Sequence, residues 1–116
     1  MSYVNAADVT SPKDSWKLEG VIYDEEDGSI AVAIGKWMNE GVIALRWNGI
    51  NEAHKELGNP QSFGKSTWFI LPKEFGIAIV KDILVKRALG NECIVEENIE
   101  KVVKWLIEVG ESIKLY

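Results

Sequence analysis

Apolar positions along this chain change their period near residue 72, and that change predicts the fold. WKLEGVIY at 16–23 alternates, which puts Trp16, Leu18 and Ile22 on one face of a strand and Lys17 and Glu19 on the other. SIAVAIGKWM at 29–38 is expected to be a second strand, with Ile30, Val32 and Ile34 on one face and Ala31, Ala33 and Gly35 on the other. VIALRWN at 42–48 sets Ile43, Leu45 and Trp47 against Val42, Ala44 and Arg46, and TWFILP at 67–72 resumes a strand. Beyond it the spacing becomes helical. KEFGIAIVKDILVKRAL at 73–89 carries Phe75, Ile79 and Ile83 four apart with Val80 and Leu84 beside them, started by Pro72 and ended by Gly90. A second helix over about 97–109 has a stripe of Ile99, Val102, Val103, Leu106 and Ile107, with Gly110 as its stop. A brief extended piece is expected near 93–95, and ESIKLY at the end reads as a short closing strand.

The connections complete the picture. Residues 1–14 are polar and read as a loose arm. DEEDG at 24–28 is turn chemistry, with Gly28 free to take a positive φ. Its four carboxylates lack the alternating spacing that wraps oxygens round calcium, so a solvated turn is expected. NEG at 39–41 predicts a tight hairpin in which Gly41 supplies the left-handed residue of a three-residue loop. A connection of roughly 19 residues, 48–66, is long for a small domain; within it Asn51 is placed to cap a helical turn through EAHKEL. The predicted fold is therefore α+β, one domain over 1–116: an antiparallel sheet of four to five strands with two C-terminal helices packed on one face. The other face needs cover. Ala31, Ala33, Val42 and Ala44 make it small and apolar, which predicts a homodimer interface there.

Composition narrows the function. At 116 residues, with 47% hydrophobic and 27% charged, the chain is long enough for a core without metal or disulfide staples. No apolar run approaches the ~18 residues of a membrane span, the first residues lack the layout of a signal peptide, and Cys93 has no disulfide partner. The expectation is a cytoplasmic protein with no membrane partner. A net charge of −5 disfavours generic nucleic-acid binding, although 29–72 is near neutral and the acidity concentrates elsewhere. Five tryptophans are many for this length, and four of them, Trp16, Trp37, Trp47 and Trp68, fall in the strand-rich part. Core or subunit interface accounts for most of them; a base-stacking surface is the sharper alternative.

GNPQSFGKS at 58–66 resembles a nucleotide-binding loop only superficially. Five residues separate Gly58 from Gly64 where a phosphate loop has four, and a strand pattern rather than a helix follows Ser66, so no helix N-terminus meets the phosphates. His54 has no companion for a metal site, and Cys93 has no basic activator. No constellation supports catalysis, so the expectation is no enzyme, no cofactor and no metal. Polar groups do gather in the long connection: Asn59, Gln61, Ser62 and Lys65, bracketed by Phe63 and Trp68, with Arg46 and Asn48 at the end of the preceding strand. Pairing of the third and fourth strands would bring these to one rim of the sheet as a ligand- or partner-binding site. The alternative is structural: Asn59 and Ser62 satisfy loop backbone, and Arg46 pairs with a carboxylate such as Glu19.

The pieces at 33–37, 46–49 (RWNG), 58–64 (GNPQSFG) and 67–72 (TWFILP) resemble recurring motifs of uncharacterised bacterial proteins, several carried by mobile integron gene cassettes. That resemblance implies a small accessory binding module. The layout is also similar to the positive-cofactor type of single-stranded-DNA-binding domain, a four-stranded antiparallel sheet followed by one helix and paired into a dimer. It implies nucleic-acid contacts at Lys36, Trp37, Arg46, Trp47, Lys65 and Trp68; the second helix has no counterpart there. The expected function is binding of a small molecule or protein partner, with a single-stranded nucleic-acid module using Lys36, Arg46 and Lys65 as the alternative.

Overall fold

A computed structural model of the chain describes residues 4–12, 14–26, 28–49, 57–62 and 64–113. Its strands are Trp16–Asp24 (β1), Ile30–Trp37 (β2), Glu40–Trp47 (β3), Gln61–Ser62 (β4), Lys65–Ser66 (β5) and Phe69–Ile70 (β6), followed by helices Lys73–Ala88 (α1) and Ile99–Ile113 (α2). Four strands form an antiparallel sheet in the order β1-β2-β3-β6, and β4 and β5 make a separate two-stranded hairpin. This is the α+β fold that the change of period predicts. The expected extended piece also forms: Ile94 bridges Tyr23, with Asp24 N–H donating to Cys93 O and Val95 N–H to Ile22 O.

Both helices lie on one face. Val80 and Ile83 of α1 and Val102, Trp105 and Val109 of α2 share a buried cluster with Ile22, Val32, Ile34 and Ile43 of the sheet. Each helix is turned slightly from its expected face. In α1, Gly76 rather than Phe75 meets the sheet, where an added Cβ would lie 3.2 Å from Ile43, and Phe75 is exposed. In α2, Trp105 enters the core while Val103 and Ile107 stay exposed, because the largest apolar side chain gains most from burial. Gly110 does not stop α2, which runs on to Ile113; residues 111–113 are helix rather than a closing strand, and 114–116 lie outside the described residues.

The alanine face is covered by the chain itself. Ala31, Ala33 and Ala44 are completely buried beneath Ala6, Val9, Trp16 and Trp68, with Val42 and Trp37 packed at the margin. Trp68 is tied there by its indole N–H, which donates to Val9 O at 2.6 Å. The small side chains make room for tryptophan rings: a Cβ on Gly35 would stand 2.5 Å from the Trp16 ring. The arm before β1 is thus a lid on the sheet, and the cover expected from a second copy is supplied internally.

Two local corrections follow from the register. β1 carries irregularities between Leu18 and Gly20 and between Val21 and Tyr23, so Trp16 and Leu18 join the alanine face and Ile22 the helix face, instead of sharing one. The β2–β3 turn is two residues long, with Trp37 paired to Glu40 and the positive φ values borne by Met38 (51°) and Asn39 (68°). Gly41 is a strand residue; its missing Cβ admits Trp105, whose Cδ1 would lie 2.9 Å from one.

Candidate functional site

Most of the described residues of the rim expected around the 48–66 connection make internal ties. Arg46 is 1% exposed, its Nη1 donates to Thr67 O at 2.7 Å, and its Nη2 donates to Leu57 O. One guanidinium therefore fastens the middle of the connection, at Leu57, and the residue just past its end, Thr67, to β3, with the Trp68 ring centroid 6.0 Å away. Glu19 does not pair with it; burial lowers the Arg46 pKa while the Asp24 charge opposes that shift. Asn48 is also buried and reaches the other way, donating from Nδ2 to Asp24 Oδ1 and to Glu26 O, both at 2.9 Å, so it staples the acidic turn to β3.

The remaining residues of that rim divide similarly. Asn59 pairs through its backbone with Trp47, Gln61 Nε2 donates to Gly58 O at 2.8 Å, and Ser66 Oγ donates to Leu57 O at 2.9 Å. Ser62 and Lys65 are exposed on the β4–β5 hairpin, and Trp68 is buried. Phe63, Asn51 and His54 lie outside the described residues.

A different place gathers chemistry. At the turn end of β1–β2–β3, on the helix face, apolar side chains give way to lysines. Lys17 on β1 stands directly across from Lys36 on β2, and Lys36 across from Gly41 on β3. Like charges in direct cross-strand register oppose sheet stability. α2 passes over this row, bringing Lys101 and Lys104 from above, and the four lysines line one open cleft of about 440 Å³. Trp105 forms its wall, held by its indole N–H donating to Gly41 O at 3.0 Å. Glu19 and Glu108 are at the rim, so the lining carries two more positive than negative groups. The ion pairs formed among the described residues are Lys73–Glu40, Lys86–Asp82 and Arg87–Glu96, none of which uses these four lysines. Lys101 Nζ donates to a backbone carbonyl, Glu19 O, at 2.7 Å. In a chain of net charge −5, this is a local excess of positive charge, offset in the lining by Glu19 and Glu108 only in part.

The chain matches no family model, no curated protein and no solved structure. The site therefore rests on its own geometry. Among the described residues, no group of three His, Cys, Asp or Glu side chains is placed to hold a metal ion, and no helix is long and apolar enough to cross a membrane.

Of the lysines in the cleft, sequence reasoning had singled out Lys36 alone, and had grouped it with Arg46 and Lys65, which lie elsewhere. One signal was legible: Lys36 interrupts the face that Ile30, Val32 and Ile34 begin. Lys17 enters through strand register and Lys101 and Lys104 through the crossing of α2, neither of which sequence period reveals.

Proposed function

We propose that this protein is a non-catalytic binding module that takes a small anionic molecule, bearing phosphate or carboxylate groups, in the lysine cleft. The observation that carries the reading is the Lys17–Lys36 cross-strand pair completed by Lys101 and Lys104, none of which forms an ion pair among the described residues. Ammonium groups are compact charges with three donors each, suited to phosphate and carboxylate oxygens. A cleft of about 440 Å³ falls within the ~300–1,000 Å³ typical of small-ligand sites. Trp105 supplies a fixed apolar wall, so a ligand with an anionic head and an apolar body fits both features.

A small ligand fits better than a nucleic-acid strand. Trp16, Trp68 and Trp105 are at most 4% exposed, Trp37 is packed against the alanine face, the exposed Trp47 stands at the opposite end of the β2–β3 ladder from Lys36, and the lysines form a cleft rather than a track. Stacking of successive bases needs exposed aromatic faces.

Calorimetric titration with pyrophosphate and with citrate tests the proposal. Binding should weaken as salt rises, and Lys36→Gln with Lys104→Gln should weaken it by roughly 10-fold or more while the circular dichroism spectrum stays unchanged. The double variant should also be no less stable than the parent, because one of two facing like charges is gone. Equal affinity in parent and variant would remove the cleft as the site. Tighter binding of an octathymidine strand than of pyrophosphate would favour the nucleic-acid reading.

A further inference from the structure

The helix-covered face of the sheet has a second opening at its other end, where β2 begins and β3 finishes. Ile30 pairs with Trp47 there, at the opposite end of the β2–β3 ladder from the pairing of Lys36 with Gly41. Beneath α1 lies a pocket of about 260 Å³, walled by Val32, Leu45, Ile79 and Ile83 and flanked by the buried Tyr23. Trp47 stands at its mouth, 56% exposed. An indole kept largely in water beside an apolar pocket is a surface that packing among the described residues does not use.

The charge at this mouth is opposite to that of the lysine cleft. Glu25 lines the pocket, and accepts from Tyr23 Oη at 2.5 Å and from Ser29 Oγ. These two hydroxyls hold its carboxyl below the ordinary carboxylate range, with Ser29 the larger influence, so it stays ionised. Asp82 is at the rim as well, and Lys86, the one cation among the lining residues, is bonded to Asp82. Asp24 and Glu26 flank Glu25 in the same turn. Burial first, then the charges of Glu25, Asp24 and Glu26 together with that of Glu92, push the neighbouring half-buried Cys93 thiol up.

We infer that this pocket binds a small organic cation, an ammonium group carried on a short apolar body. The apolar body occupies the space among Val32, Leu45, Ile79 and Ile83, and the cation sits at the mouth against the Trp47 ring and the Glu25 carboxylate. Aromatic faces attract desolvated cations, most strongly quaternary ammonium groups and most strongly at tryptophan. A carboxylate already accepting two hydrogen bonds keeps further lone-pair capacity for the ion. The volume, just under the ~300 Å³ at which drug-sized sites begin, restricts the ligand to a short chain or one ring. This site shares no residue with the lysine cleft and does not rest on the reading of that cleft.

The probe is hexyltrimethylammonium, compared with 1-hexanol and hexanoate, on the full-length protein followed by two-dimensional amide NMR. Hexyltrimethylammonium should shift the amides of β2, β3 and α1 around the pocket in a saturable way, with hexanoate at least ~10-fold weaker. Trp47→Ala, at an exposed position, should weaken the cation by a similar factor without loss of fold. Glu25→Gln, which keeps hydrogen-bonding capacity but not charge, should weaken the cation and leave 1-hexanol unchanged. The inference is overturned if hexanoate or 1-hexanol binds as tightly as the cation. It is equally overturned if the cation produces no saturable shifts at the pocket, or if Trp47→Ala remains folded and binds it undiminished.

Discussion

Arg46 and Tyr23 show how polar groups are buried in this small protein, and each does so by a different route. Arg46 sits in the interior as a fork between two backbone carbonyls, Thr67 O and Leu57 O, so its charge organises a connection instead of meeting a ligand. Lysine would offer donors from a single nitrogen on a flexible stem, without the planar fork that spans the two carbonyls. Tyr23 is buried with its hydroxyl donating to Glu25, and burial first, with the Glu25 carboxylate second, pushes its phenol up to about 12. The sign of the pH effect follows. Below about pH 10 the phenol is protonated in both folded and unfolded chains, and its contribution to stability is fully present. From about pH 10 the unfolded chain ionises first, so stability falls as pH rises toward the folded value of about 12. Urea midpoints measured between about pH 9.5 and 11.5 should therefore fall more steeply for the parent than for Tyr23→Phe. Equal slopes would show that Tyr23 is not held protonated. Tyr3 and Tyr116 are common to both proteins and cancel in the comparison.

At the scale of elements, the β2–β3 hairpin is the clearest case of local chemistry and geometry at odds. Two-residue hairpins favour residues that accept a left-handed backbone, and here Met38 occupies the first such position with φ 51°. Its side chain is 71% exposed, so little packing is lost by replacing it. Met38→Asn should raise stability by about 0.5–1 kcal/mol, because asparagine adopts this conformation more readily. Chemical denaturation checks it; an unchanged or lowered midpoint would mean that the methionine contributes contacts that its exposure does not reveal. β1 makes the complementary point. Strict alternation assigned Trp16 and Ile22 to the same face, and two irregularities in the ladder place them on opposite faces. The strand needs that change of side, because Trp16 must cover the alanines at one end while Ile22 joins the helices at the other.

For the whole molecule, the sheet is a divider between two unlike layers. One side is a conventional helix-packed core, and the other is a thin layer of tryptophan and arm residues resting on alanine. Ala33 is completely buried in that second layer, so Ala33→Glu would place an unpaired carboxylate beneath Trp16 and Trp68. It should lower stability by about 4 kcal/mol or more, seen as loss of the cooperative thermal transition. A folded variant changed only in its sedimentation would instead show that the alanine face is reached from outside. The charge is arranged on the same large scale: the helix-covered face has lysines at its turn end and carboxylates at the other. A net charge of −5 conceals that separation.

What the sequence determined by itself were the features with a local cause. Hydrophobic period specified three long strands and two helices, and the small residues at 31, 33 and 35 announced that something bulky must approach that face. The spacing of Gly58 and Gly64 was enough to set aside a nucleotide loop, because that motif depends on local chain geometry. Tertiary structure decided everything that depends on which distant residues meet. It chose the chain's own Val9, Trp16 and Trp68 as the cover for the alanines, and it drew Arg46 inward to tie residues 57 and 67. It also assembled the candidate site, since Lys17 and Lys36 become neighbours through strand register and Lys101 and Lys104 join them through the path of α2. Sequence period reports which way a side chain faces along its own element. It carries no record of the element across the gap, and in this protein the chemistry lies across the gap.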